Sequence, residues 1–323
     1  MTTYKVLKGT NIQAVSSDPT YPNDGQVWYN TTSNVLKGAT GTPIESWSTT
    51  NSLNNARYGL AGAGTQTSAL AFGGNPPATP YGAETESWNG TNWTEVNNLN
   101  QERQYLGGGG ASNTSAIAFG GNKPPQTADT ETWNGSSWTE VNNLNTAKEL
   151  LGGSGTQTSA LAYGGAPPVS TVDTESWNGS NWTEVNNLNT GRNGLSGAGA
   201  DNTSALAFGG TPPDNLAITE LWNGTNWTEV NDLNLGRTYF GSTGTATAAL
   251  AIGANTDPRQ QCESWNGTNW TEVNDLNVGR TTSAGAGTNT LALAFGGSAP
   301  SVPGRTTSSE AFAGVTTRTF TDS

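Results

Sequence analysis

An all-β fold, a six-bladed β-propeller of four-stranded antiparallel blades with a short N-terminal β-hairpin extension, is what three observations on this sequence predict. A block reading WNGTNW or a near variant recurs five times, with its first tryptophan at Trp88, Trp133, Trp177, Trp222 and Trp265, so the steps are 45, 44, 45 and 43 residues. A double-glycine position recurs six times, at Gly73, Gly120, Gly164, Gly209, Gly253 and Gly296, with Ala254 as the second residue in the fifth copy. Helical periodicity is missing throughout, while glycine and asparagine are too frequent for helix interiors and threonine, serine, valine and the aromatics favour strands. A period in this range marks units that cannot bury their own apolar face and must stack on neighbours. Four-stranded units repeated radially give a propeller, with the glycine-rich first strand nearest the axis.

The elements follow in chain order. Residues 1–43 do not repeat and form the leader; residues 44–323 form the propeller. In the leader, the run DPTYPNDGQVWYNTTSNVLKG reads as a hairpin: Gly25 to Asn30 extended, Thr31 to Asn34 turning, Val35 to Lys37 returning. Alternation then puts Trp28 and Tyr29 on opposite faces, one to pack on the propeller and the other on a neighbouring protein. A fragment from Ile44 to Trp47, followed by a shortened STTNSLNNAR, reads as a third strand whose fourth is missing. Two roles stay open for it: pairing with the final copy to close the ring, or capping an edge.

One full copy shows the unit. Asn193 to Gly199, Thr203 to Phe208, Ile218 to Trp222 and Trp227 to Val230 are the four predicted strands. Asn223-Gly224 joins the last two as a hairpin turn, since both residues tolerate positive φ. In the final copy Phe312 stands for the first tryptophan, and no aromatic stands for the second. Cys262, the only cysteine, takes a place held by Thr or Ile elsewhere and reads as a strand residue.

An arginine before a strand, a glycine pair, a glutamate with an aromatic two residues on, and a tryptophan after a short turn recur in this order; one copy supplies Arg192, Gly209, Gly210, Glu220, Trp222 and Trp227. That order resembles kelch repeats. The resemblance runs from about Leu53 to the C-terminus and carries fold, whereas kelch propellers serve as oxidases, adaptors and structural parts.

Composition narrows the chemistry. There is no histidine, which removes the commonest general base and metal ligand and excludes Ser-His-Asp, Cys-His and His-zinc sites. A kelch-type copper oxidase lacks its ligands here. Acidic residues number 25 against 13 basic, a net charge of -12 that repels nucleic acid and anionic lipid. No apolar run approaches a membrane span or a secretory signal. The expectation is therefore no enzyme, no metal, no cofactor, no nucleic-acid partner and no membrane insertion.

Ten tryptophans, Trp88, Trp93, Trp133, Trp138, Trp177, Trp182, Trp222, Trp227, Trp265 and Trp270, sit at fixed places in every full copy. Fixed places are what packing between blades requires, so they are expected in the core in preference to a sugar-binding ladder. Six basic residues, Arg57, Arg103, Lys148, Arg192, Arg237 and Arg280, match six glutamates, Glu86, Glu131, Glu175, Glu220, Glu263 and Glu310. Equal counts favour pairing over a ring of free cations at the channel mouth that could attract acidic sugars. A paired-carboxylate hydrolase would break the symmetry that these glutamates keep. The turn residues Asp201, Asn202, Asp232 and Asp275 fit no calcium loop.

Variation is confined. The segments after each glycine pair, which join strands two and three, differ freely and belong on the same face as the connections carrying the basic residues. Tyr58, Tyr105 and Tyr239 follow those basic residues, and Tyr81 and Arg259 lie in variable loops. Recognition is usually built on such loops, and tyrosine supplies a flat contact with a polar tip. The leader run is similar to segments near the N-termini of tailed-bacteriophage virion proteins. That resemblance implies docking to other virion proteins through Trp28 and Tyr29, many copies per particle, and a propeller displayed as a tail-fibre or adhesin head that meets a host-surface glycan. Alternatives are a capsid or tail decoration protein bracing its neighbours and, weakest, a glycan-active enzyme.

Overall fold

The computed structural model describes residues 12–18, 27–38, 45–166, 169–257, 259–299, 304–314 and 318–319. Their strands form seven four-stranded sheets. The chain divides into two units, Ser46–Phe312 and a smaller one of Met1–Glu45 with Ala313–Ser323.

Six sheets belong to the larger unit and make the β-propeller. The blade from Ser196 is typical: Ser196–Asp201, Ser204–Phe208, Thr219–Trp222 and Trp227–Val230 pair in sequence as an antiparallel meander. Innermost strands of successive blades neighbour one another in a closed cycle, with Ala284–Gly287 of the last blade against Ala61–Thr65 of the first. Glycine is required there. A Cβ on Gly62 would stand 2.8 Å from the Gly285 carbonyl oxygen, and one on Gly285 would stand 2.6 Å from that of Ser242.

The leading fragment closes the ring, but not as a third strand. Ser46–Thr50 pairs with Ser309–Ala313 as the outer, fourth strand of the sixth blade. Trp47 therefore supplies the second aromatic that the final copy lacks, with its ring centroid 5.1 Å from that of Phe312, as Trp88 and Trp93 lie 5.3 Å apart. The sequence held the signal: Trp47 precedes Arg57 by the same interval as Trp93 precedes Arg103.

The core sits between blades. None of the ten repeated tryptophans is more than 5% exposed. Each outer tryptophan packs on the second strand of the preceding blade, as in Phe72–Trp138 at 5.0 Å, Tyr163–Trp227 at 5.0 Å and Trp93–Phe295 at 4.9 Å. Its indole N–H donates across the same junction to a buried hydroxyl: Trp138 to Thr85, Trp182 to Thr130, Trp227 to Thr174, Trp270 to Thr219 and Trp93 to Ser309, all at 3.0–3.2 Å. Register puts Cys262 at this hydroxyl position, which elsewhere holds Thr or Ser and not Ile. Burial pushes its thiol pKa up to about 12, and the Trp47 N–H goes instead to the Asn274 carbonyl at 3.1 Å.

The basic residues and glutamates pair within each blade, fully buried. Contacts include Arg57–Glu86 at 2.7 Å, Arg103–Glu131 at 3.0 Å, Lys148–Glu175 at 3.2 Å, Arg192–Glu220 and Arg280–Glu310 at 2.5 Å, and Arg237–Glu263. A buried charge needs its remaining lone pairs satisfied. The asparagine after each buried leucine of the inter-blade linker does this. Asn189 gives Glu220 both its backbone and its side-chain N–H, each at 2.8 Å, and Asn54, Asn100, Asn145, Asn234 and Asn277 repeat the contact. Each ion pair thus pins the strand arriving from the previous blade.

The Asn-Gly turn differs from the expected two-residue hairpin. Trp222 pairs with Trp227, so four residues form the loop, and only Gly224 has positive φ, at 90°. The Asn223 carboxamide oxygen accepts the N–H groups of Thr225 and Asn226, each at 2.9 Å. Asparagine is there as an acceptor and not for a left-handed backbone.

In the smaller unit Val27–Asn30 and Val35–Gly38 form the predicted hairpin, Gln13–Val15 adds in parallel on one side, and Arg318–Thr319 pairs on the other. Gly25 lies outside the described residues.

Candidate functional site

The variable loops and the connections after the basic residues come together on one face. Single bridges link Tyr58 to Asn75, Gln104 to Asn122, Glu149 to Ala166, Asn193 to Thr211 and Thr281 to Ser298. Each pairs the residue after a basic side chain with the start of the loop joining strands two and three.

One position further on, the six blades are joined by a closed ring of backbone hydrogen bonds. Tyr105 donates its N–H to the Gly59 carbonyl, Leu150 to Tyr105, Gly194 to Leu150, Tyr239 to Gly194, Thr282 to Tyr239 and Gly59 to Thr282, at 2.5–3.0 Å. Every ring residue has a left-handed backbone: φ is 63° at Gly59 and 60° at Gly194, but also 55° at Tyr105, 56° at Leu150, 56° at Tyr239 and 52° at Thr282. Only glycine takes this conformation freely, and a side chain there costs about 1–2 kcal/mol. The closed ring of backbone hydrogen bonds holds four side chains in that conformation at one mouth.

The ring sits over a cavity of about 250 Å³ whose wall is the glycine-rich inner strands. Tyr105 and Tyr239 belong to the second and fifth blades, opposite each other in a six-blade ring, and each lies against the glycine of the preceding blade. A Cβ on Gly59 would stand 2.9 Å from the Tyr105 ring, and one on Gly194 would stand 2.8 Å from the Tyr239 ring. Burial raises both phenol pKa values, helped at Tyr105 by Tyr58 and at Tyr239 by the Glu149 charge. Both stay protonated donors at neutral pH. Glu149 is held by Asn122 at 2.7 Å and Gln126 at 3.3 Å.

The predicted recognition residues do not share one position. Tyr58 lies one residue after its arginine, whereas Tyr105 and Tyr239 lie two after theirs. Tyr58 and Tyr105 nevertheless meet, with ring centroids 6.1 Å apart. Tyr81 is half-buried on its own loop, apart from the ring positions. Arg259 is 30% exposed and stands 3.7 Å from Asp257. Glu149 and Arg305 carry no signal in the sequence, whereas aligning the copies on the basic residue reads Gly, Tyr, Leu, Gly, Tyr, Thr at the ring position.

In the leader, Trp28 is the member of the pair that packs inward and is withdrawn as a docking residue. It is fully buried, and its indole N–H donates to Asp18 at 3.0 Å. Asp18 also accepts from Asn30 at 2.7 Å and Lys37 at 2.6 Å, and these bonds, led by Lys37, lower its pKa from 3.8 to about 2. Tyr29 is exposed, and the register sets it between Ala14 and Leu36, which are also exposed.

Among the described residues no group of three or more Cys, Asp and Glu could hold a metal. Asp201 and Asp232 instead accept backbone N–H groups from Thr203 at 2.8 Å and Thr219 at 3.1 Å. No protein-family model matches the chain, and no curated protein matches it.

Proposed function

We propose that this chain is a non-catalytic recognition protein of a tailed-bacteriophage particle, whose leader attaches it to other virion proteins and whose propeller presents the ringed mouth to a glycan on the host surface. The observation that carries the reading is the contrast on one molecule between six copies of an invariant framework and a single face where the copies differ. That face holds Tyr58, Tyr105 and Tyr239, two of them on a strained backbone. Tyr29, with Ala14 and Leu36, is the exposed row through which the leader docks. Many copies on a particle add weak single contacts into avidity.

A glycan array probed with the full chain tests this. Binding to host-surface polysaccharide is expected, with loss on Tyr105→Ala and Tyr239→Ala in protein that melts near the wild-type temperature. Absence of all glycan binding, together with normal adsorption of particles carrying both substitutions, would replace this reading with a decoration protein that braces its neighbours.

A further inference from the structure

Beside the ring, the junction between the sixth and first blades carries a charge where the comparable rim positions are neutral. In the second, third and fourth blades the residue just before the backbone N–H that returns to the glycine pair ties its blade to the next along the rim. Gln126 reaches Glu149 at 3.3 Å, Ser170 accepts from Asn193 at 2.8 Å, and Asn215 accepts from Asn255 at 3.1 Å. At the ring-closing junction the same position is Arg305. Its Nε donates to the Asn75 carbonyl at 2.8 Å and to the Asn75 carboxamide oxygen at 3.1 Å, and its Nη2 donates to that same oxygen. Neutral side chains make this tie at three other junctions, so the tie alone does not call for an arginine.

What distinguishes Arg305 is its charge. Among the side chains described it is the only Lys or Arg with no carboxylate within ion-pair distance, in a chain with 25 acidic and 13 basic residues. Its guanidinium carbon stands 5.3 Å over the Tyr58 ring, and Tyr58 adjoins Tyr105. The fork is therefore held by Asn75 on one edge and by an aromatic face beneath, and Nη1 has no partner among the described residues. Asn75 is itself fixed, donating to the Pro80 carbonyl at 2.8 Å and to Gln104 at 3.1 Å.

We propose that Arg305, with Tyr58 and Tyr105, forms an anion subsite for an acidic sugar: the sugar carboxylate pairs with the free edge of the guanidinium and the apolar face of the pyranose lies against the tyrosines. A planar fork fits a carboxylate, and a pre-positioned one loses little freedom on binding. The six paired cations of the framework cannot serve here, since each is buried and neutralised by its own glutamate. This inference rests on the recognition reading above and names the ligand class.

The test is a titration of the full chain with free glucuronic acid and with glucose, followed by intrinsic fluorescence, alongside the glycan array. Wild type is expected to bind glucuronic acid about tenfold or more tightly than glucose. Arg305→Gln keeps the neutral tie found at Gln126 and is expected to abolish the preference while leaving binding to neutral glycans and the melting temperature unchanged. Arg305→Lys retains charge without the fork and is expected to fall between. Equal affinity for the two sugars, or an undiminished preference in Arg305→Gln, would overturn the subsite. If neutral glycans still bind in that case, the recognition reading survives without it; binding to no glycan at all would overturn both.

Discussion

The framework and the rim of this propeller obey opposite rules. In the framework the same Arg-Glu-Asn knot, indole-hydroxyl bond and aromatic contact recur at almost every junction, because each ties several buried polar or aromatic groups to one another. Changing one member leaves the others unpaired in a dry interior, where an unsatisfied group costs about 1–3 kcal/mol and a charge more. On the rim, Gly, Tyr, Leu, Gly, Tyr and Thr occupy one ring position, because the bond that builds the ring belongs to the backbone and is indifferent to the side chain. The molecule is free to vary where main chain carries the structure.

The sharpest way to break that contrast is at a knot. Glu220→Leu leaves Arg192 charged and buried with no carboxylate, and a loss of about 3–5 kcal/mol in denaturant unfolding is expected; a loss below 1 kcal/mol would show that the knot is dispensable. Trp47→Ala tests closure. If the leading strand completes the sixth blade as the others are completed, calorimetry should record a loss of about 3–5 kcal/mol, comparable with Trp227→Ala. A much smaller loss would mean that the ring stands without its outer strand.

Smaller effects sharpen the comparison. Cys262→Thr restores the hydroxyl present at the other five junctions and should raise stability by up to ~1 kcal/mol. Lower stability would mean that the fifth blade has repacked around sulfur. On the rim, Thr282→Gly removes a side chain from a left-handed backbone. It should change unfolding free energy by no more than about 1 kcal/mol, with strain relief opposed by the greater freedom of glycine in the unfolded chain. A drop of several kcal/mol would place Thr282 in the framework instead.

Much of the framework was legible in the sequence, since repetition supplies an internal alignment. The tryptophan pairs, the matched charges, the blade count and the shared face of the variable loops all follow from residues that recur in step. What escaped was nonlocal or depended on side-chain bonding. Compared forward, to the WNG block, Trp47 fits a third strand; counted backward from Arg57 it fits the fourth, where it lies. At Asn223 tolerance of a left-handed backbone and a carboxamide acceptor share one letter, and the turn uses the second. Alternation gives the two faces of the leader strand but not which one is covered; Trp28 is buried and Tyr29 exposed. The backbone ring left no composition signal. Positive φ at tyrosine, leucine and threonine is set by closure around an axis, and Arg305 gains its meaning only when the last blade meets the first.

The central claim, that stability resides in the repeated framework and recognition in the rim, is tested most directly by hydrogen-deuterium exchange of the full chain with and without a bound host glycan. New protection is expected in the segments around Tyr58, Asn75, Tyr105, Tyr239 and Arg305, with the buried second strands equally protected in both states. Protection gained instead at the Asn-Gly turns, or confined to the leader around Tyr29, would contradict it.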